Sequence, residues 1–343
     1  VSQHPDQQPT SPEENRGQVP AGSPVPGTDA GADTPTGADG AMQQRDFGRT
    51  GLRVSVVGLG AGQIGEQDVT EAEAARVLGS ALDAGVTLID TAATYGLSEE
   101  RIGRHVAARR DEFVLSTKGG QALDGHAEWT PGAVTASIDR SLRRTRSERL
   151  DIFFLHSCPV DVLRRGDLQD ALDDAVAAGK VRVAGYSGDN EHLTYAVESG
   201  RFGAIETSIN VVDQANLRHV VGTLARDAGL GVIAKRPIAN APWRFAERPV
   251  GHYGELYWER FRELGLEAAV AGAEGASGLE WNELALRFTA YAPGVHTAIA
   301  GTAKADHLRS NLDAAAGGPL PADVLSAIDR AWERAGSAWP AST

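Results

Sequence analysis

Residues 87–118 read Thr87-Leu-Ile-Asp90, then Ser98 to Arg110 with helical periodicity, then Phe113-Val-Leu-Ser-Thr-Lys118. This is a short apolar run, an amphipathic stretch, and a second short apolar run ending in a charge. Runs of four to eight apolar residues alternating with helical patterns point to parallel strands joined by helices. The unit recurs in both directions along the chain. Upstream, Val54-Ser-Val-Val-Gly-Leu59 reads as a strand, and Thr70-Glu-Ala-Glu73 is a capping-box pattern that opens a helix reaching Ala84-Gly85. Downstream, Leu150-Asp-Ile-Phe-Phe-Leu-His156 follows a helix over about 130–146. Further strands are predicted at Val181–Ser187, Ala204–Asn210, Gly231–Lys235 and His296–Gly301, each followed by a helical segment.

Eight strand–helix units fit a (β/α)8 barrel, with a doubly wound sheet as the structural competitor. Two extended pieces around Arg49-Thr-Gly51 predict a hairpin in front of the first unit, and a last helix is expected after Pro321. The barrel domain is assigned to residues 44–343. Residues 1–43 hold seven of the sixteen prolines, six acids, one Arg and no aromatic residue. Such a segment cannot bury enough apolar surface to offset its chain entropy, so a disordered tail is expected. The chain opens with Val1 and its one methionine is Met42, so two readings stand for the tail. One is translation from Met42, the other a real unstructured extension.

A net charge of −13 argues against a nucleic-acid partner, which would need basic clusters. No apolar run approaches the roughly 20 residues of a membrane span, so no membrane partner is expected. Cys158 is the sole cysteine, which rules out an intrachain disulfide and makes a cytoplasmic setting the simplest reading. No His or Cys cluster has metal-ligand spacing, so no metal is expected. Oligomeric state leaves no signal in the sequence.

In a barrel, strand C-terminal ends carry the chemistry. An acid (Asp90), an ammonium (Lys118) and an imidazole (His156) stand at three successive strand ends, with the phenol of Tyr95 just past the first. A rival motif, Gly60-Ala-Gly62-Gln-Ile-Gly65, matches the dinucleotide G-x-G-x-x-G pattern with Asp90 in the ribose position. That fingerprint needs a helix starting inside the glycine loop, whereas the helix signal here is Thr70. The glycines are better read as letting backbone lie close to a ligand.

Taken together, Ile89-Asp-Thr-Ala-Ala-Thr-Tyr-Gly96, Ser116-Thr-Lys-Gly119, Phe154-Leu-His156 and Gly185-Tyr-Ser187 resemble the signatures of the aldo-keto reductases, over about residues 45–312. The resemblance implies a barrel oxidoreductase that moves a hydride between NADP(H) and a small-molecule carbonyl substrate. In that reading Tyr95 is the general acid. Lys118 lowers its pKa, Asp90 fixes Lys118, and His156 orients the substrate oxygen. The alternative is a cofactor-binding redox-sensing or regulatory subunit on the same barrel.

The resemblance also implies cofactor contacts from Gly60, Ala61, Ser187, Glu206, Lys235, Arg236, Gly301, Thr302, Lys304, His307 and Asn311. Lys304 takes the position of the basic residue that meets the 2′-phosphate, which favours NADP over NAD. His307 stands where the family has Gln. Three positions depart from the family pattern at the nicotinamide end. Gly188 follows the fifth-strand Ser in place of Asn, Glu206 replaces Gln, and Lys235 replaces the stacking Tyr. An ionised Glu accepts hydrogen bonds but cannot donate one. Lys235 and Arg236 are expected near Glu206 or a cofactor phosphate, or else as plain surface cations.

The long stretch 240–280 carries Trp243, Phe245, Tyr253, Tyr257 and Trp258, which either line an apolar substrate site or pack an accessory core. Arg244, Arg248, Arg260 and Arg262 in that stretch either select an anionic substrate or, as the simpler reading, stand as exposed charge. Cys158 reads as a small buried thiol.

Overall fold

The computed structural model describes residues 42–123 and 125–342. An antiparallel hairpin, β1 (Gln44–Asp46) and β2 (Arg53–Ser55), precedes eight parallel strands. These are β3 (Val57–Gly60), β4 (Leu88–Asp90), β5 (Val114–Gly119), β6 (Leu150–His156), β7 (Val181–Ser187), β8 (Ala204–Ser208), β9 (Gly231–Lys235) and β10 (Thr297–Gly301). They pair in chain order, and β10 returns to β3, so the sheet is a closed barrel and not an open doubly wound sheet. Among the described residues no helix is long and apolar enough to cross a membrane.

The expected run 54–59 is two elements. Ser55 ends the hairpin, where its hydroxyl donates to Val57 O (2.7 Å) and its N–H to Thr87 Oγ1 (2.8 Å). These bonds turn the chain at Val56 before the barrel strand begins. The capping box opens its helix as expected: Thr70 Oγ1 accepts from the Glu73 N–H, and the Glu73 carboxylate accepts from the Thr70 N–H, heading the helix Glu71–Asp83. The expected tail lies outside the described residues except for Met42 and Gln43. Gln43 belongs to the fold, since its carbonyl accepts from the Val56 N–H at 3.0 Å.

The hairpin covers the N-terminal ends of the strands. Phe47, Leu52 and Val54 are buried in one cluster with Leu88, Ile152 and Phe154 inside the barrel. Full burial of a side chain the size of Phe47 is worth roughly 2–3 kcal/mol. Gly48, at φ +56°, sits where a Cβ would meet backbone atoms of Leu230 and Gly231 at 2.5 Å, so only glycine lets the hairpin dock this closely.

Register then sets the opposite rim. On one side Gly301 pairs with Gly60, Gly60 with Asp90, and Asp90 with Ser116. On the other His156 pairs with Ser187, and Ser187 with Glu206. Residues remote in sequence therefore share one layer at the C-terminal end.

Candidate active site

A cavity of about 1200 Å3 opens at that rim. Asp90, Tyr95, His156, Ser187 and Glu206 line its depth, with Gly60 and Gly301 on one wall and Lys235 and Arg236 on the other. Lys118 lies just beneath, fully buried. Its ammonium is 2.5 Å from Asp90 Oδ2, 3.1 Å from Glu206 Oε2, and donates to Thr91 O at 3.0 Å. Asp90 is held in turn by the Ser116 hydroxyl, which donates to Oδ1 at 2.7 Å. The Lys118 ammonium is 5.4 Å from the centre of the Tyr95 ring, and the rings of Tyr95 and His156 meet edge-to-face at 6.0 Å. The four residues expected to handle the proton are thus brought together.

Their electrostatics depart from expectation at one point. Lys118 pulls the Tyr95 phenol down, as expected, but burial and the charges of Glu206 and Asp90 outweigh it, so the phenol lies above its ordinary range. Burial works against the Lys118 ammonium, yet Asp90 and Glu206 hold its pKa above the usual lysine value. Burial, then the neighbouring Glu206 charge, pushes Asp90 up to about 7 against the pull of Lys118. Glu206 is also buried, but Lys118 and Lys235 keep its carboxyl below the ordinary range. Burial, then Lys118, lowers His156 to about 4, so its imidazole is neutral near physiological pH.

Lys235 lies on the cavity wall but pairs with Asp189 Oδ2 (3.0 Å), not with Glu206. Asp189 is an anchor that the sequence conceals. An acid before a helix reads as an N-cap, and it does precede the helix Asn190–Glu198. Its side chain makes no cap bond there. It accepts instead from Thr207 Oγ1 (2.8 Å), the Ser208 N–H (2.9 Å) and Asn216 Nδ2 (2.9 Å). Arg236 donates to Ser208 Oγ (2.9 Å) and Ser342 O (3.1 Å), so the C-terminal segment reaches the rim. That segment is fastened elsewhere too. Ala341 exchanges two hydrogen bonds with the Asn190 side chain, Arg260 donates to Pro340 O, and the Ser342 N–H donates to Asp213.

The remaining expected cofactor residues lie around or outside the cavity edge. Ala61 is buried with its N–H on Asp90 O (2.7 Å). Thr302 accepts from the Lys304 N–H (3.0 Å), and Lys304 is the exposed N-cap residue of the helix Ala305–Ala316. His307 is exposed and Asn311 half-buried on that helix. Of the six aromatics in 240–280, Tyr253 alone lines the cavity. Trp243 stacks on Trp281 and meets Phe261 edge-on in an accessory core, and Trp258 donates to Phe245 O. Arg260 is not exposed charge: it is 6% exposed and lies 3.5 Å from Asp213. Arg244 and the unforeseen His192 and His252 also line the cavity. Cys158 is buried, which pushes its thiol up to about 12 and leaves it unreactive.

The aldo/keto reductase family model matches residues 56–333. The chain belongs to the aldo/keto reductase family. It is 26% identical over 309 residues to the uncharacterized oxidoreductase YqkF of Bacillus subtilis, spanning 84% of this chain and 95% of that one. It is 32% identical over 220 residues to the L-glyceraldehyde 3-phosphate reductase of Escherichia coli, covering 59% and 63% of the two chains. The aldo-keto reductase AKR11C1 of Bacillus halodurans in its holo form superposes with a TM-score of 0.73 at 23% identity, over 87% of this chain and 97% of that one, and shares the barrel fold.

Proposed function

We propose that this aldo/keto reductase reduces an aldehyde or ketone carbonyl with NADPH, and that the substrate is a small hydroxylated compound. The observation that carries the reading is the convergence of Tyr95, Lys118, Asp90 and His156 at one end of one cavity. The polar wall, with His192, Arg244 and His252, suits a hydroxyl-rich substrate better than an apolar one. The relative named as an L-glyceraldehyde 3-phosphate reductase agrees with that class.

The cavity fits the cofactor on three counts. Its volume exceeds that of most single-ligand pockets, leaving room for a dinucleotide beside a substrate. Paired Gly60 and Gly301 leave one wall free of side chains. The buried His156 Nδ1 and Asn240 Nδ2 have no protein partner. Lys235, Arg236, Gly60 and Gly301 would hold the inner part, and Lys304, with Thr302, His307 and Asn311, the phosphorylated ribose end. Lys304 beside a helix N-terminus is the reason for favouring NADPH. The reduced nicotinamide supplies the hydride.

The protein supplies the proton and the pocket. Tyr95 Oη donates its proton to the carbonyl oxygen as negative charge builds there. An alkoxide is far more basic than a phenolate, so the transfer runs downhill. Lys118 stabilises the phenolate left behind, and the Asp90 and Ser116 contacts fix the ammonium under the ring. Neutral His156 offers a hydrogen bond to the same oxygen without competing as an acid. The test is loss of reduced-nicotinamide absorbance with a panel of hydroxyaldehydes, aldoses and simple ketones. Tyr95-dependent turnover is expected. Tight NADPH binding with no turnover of any member would overturn the reading in favour of a cofactor sensor.

A further inference from the structure

Lys118 is shared by two acids drawn from opposite sides of the barrel, Asp90 on β4 and Glu206 on β8. All three side chains are at most 2% exposed. One ammonium between two carboxylates leaves an excess negative charge once both acids are ionised, in a place where burial weakens screening by solvent. The phenol next to this cluster is Tyr95. The charged and titratable groups facing it are Lys118, Glu206, Asp90 and Arg236, with the His156 ring at its edge.

We propose that Glu206 is a positioning residue that draws on the charge of Lys118 and so withholds the Tyr95 phenolate, disfavouring alcohol oxidation, which needs that phenolate as its base, relative to carbonyl reduction. A Lys–Asp pair alone is neutral overall, and its nearer ammonium would favour the phenolate. A carboxylate at position 206 reverses that balance, whereas an amide of the same shape would not. The net upward direction of the Tyr95 phenol, with Glu206 among its causes, agrees. Glu206 keeps its charge near neutrality because Lys118 and Lys235 more than offset its burial. The reverse reaction needs Tyr95 as a base, so the same carboxylate handicaps alcohol oxidation.

The tuning of Tyr95 stands on the charge cluster, and the consequence for direction rests on the reading of Tyr95 as the proton donor. The test therefore uses cofactor-free protein labelled with carbon-13 at tyrosine Cζ, with the Tyr95 signal assigned by its loss in Tyr95→Phe. The signal is followed against pH in the range where circular dichroism shows the fold intact. Glu206→Gln is expected to make the Tyr95 phenol about ten-fold or more acidic. Glu206→Asp, which retains the charge, is expected to follow the native protein. An unchanged or higher Tyr95 titration in Glu206→Gln overturns the proposal, as does an Asp variant that follows the Gln variant. Should the Gln variant not fold, the native protein still decides: a Tyr95 that ionises at lower pH than free tyrosine overturns the proposal. Carbonyl turnover with an unmoved titration removes this inference alone. A shifted titration in a protein that turns over no carbonyl upholds the tuning and removes the functional reading.

Discussion

Lys118 Nζ stands between Asp90 Oδ2 at 2.5 Å and Glu206 Oε2 at 3.1 Å, and no part of the Lys118 side chain reaches solvent. Removing the ammonium strands two buried carboxylates. Lys118→Met should therefore cost about 3–5 kcal/mol, less whatever is recovered by protonating one acid. A lowered urea midpoint, with the loss growing as pH rises and both acids are forced to ionise, is the expected measurement.

Tyr95→Phe deletes one hydroxyl while leaving the ring against His156. A drop in kcat of about 10²–10⁴ is expected, with cofactor affinity unchanged by calorimetry. A parallel loss of both would move Tyr95 from proton donor to binding residue.

His156 binds its proton less readily folded than unfolded, its value falling from 6.5 to about 4. Between those values the unfolded chain holds more protons, so this residue makes stability rise with pH and fall again on acidification. His156→Asn should flatten the slope of unfolding free energy against pH in that window. The native imidazole should stay neutral by NMR down to about pH 5.

Lys304 is exposed at a helix start, where a phosphate would meet both its charge and the helix end. Lys304→Ala should weaken NADPH binding about ten-fold or more and leave NADH nearly unaffected. Equal losses for the two nucleotides would remove the 2′-phosphate contact.

Asn190 holds Ala341 through two hydrogen bonds of 3.0 and 2.8 Å. Asn190→Ala should free the C-terminal segment locally at a cost of about 1–2 kcal/mol. Faster hydrogen exchange at the Ala341 and Ser342 amides is the expected readout, with the barrel amides unchanged.

The barrel strands were legible because they are almost wholly buried and read as short, mainly apolar runs. Val181–Ser187 and Gly231–Lys235 match the expected bounds at both ends. The same property hid the break at Val56, since a hairpin strand and a barrel strand are equally apolar there. Within the site, Asp90, Tyr95, Lys118 and His156 were legible from their places at or just past strand ends. Their balance was not. At Tyr95 the pull of Lys118 is outweighed by burial together with Glu206 and Asp90, and Glu206 joins Lys118 only when β8 closes against the far side of the barrel. Lys235 found its partner in Asp189, an acid whose sequence position disguises it as a helix cap. Of the aromatics in 240–280, Trp243 and Phe261 pack on Trp281, a residue just outside the stretch, which decides between pocket and accessory core for them, while Tyr253 lines the cavity.

The hairpin that seats Phe47 among Leu88, Ile152 and Phe154 closes the base of the barrel, opposite the cavity at the C-terminal rim. Base and rim are thereby joined through single strands: β6 carries Ile152 and Phe154 in the packed base and ends at His156 on the cavity, so loosening the hairpin would reach the site along the strand itself.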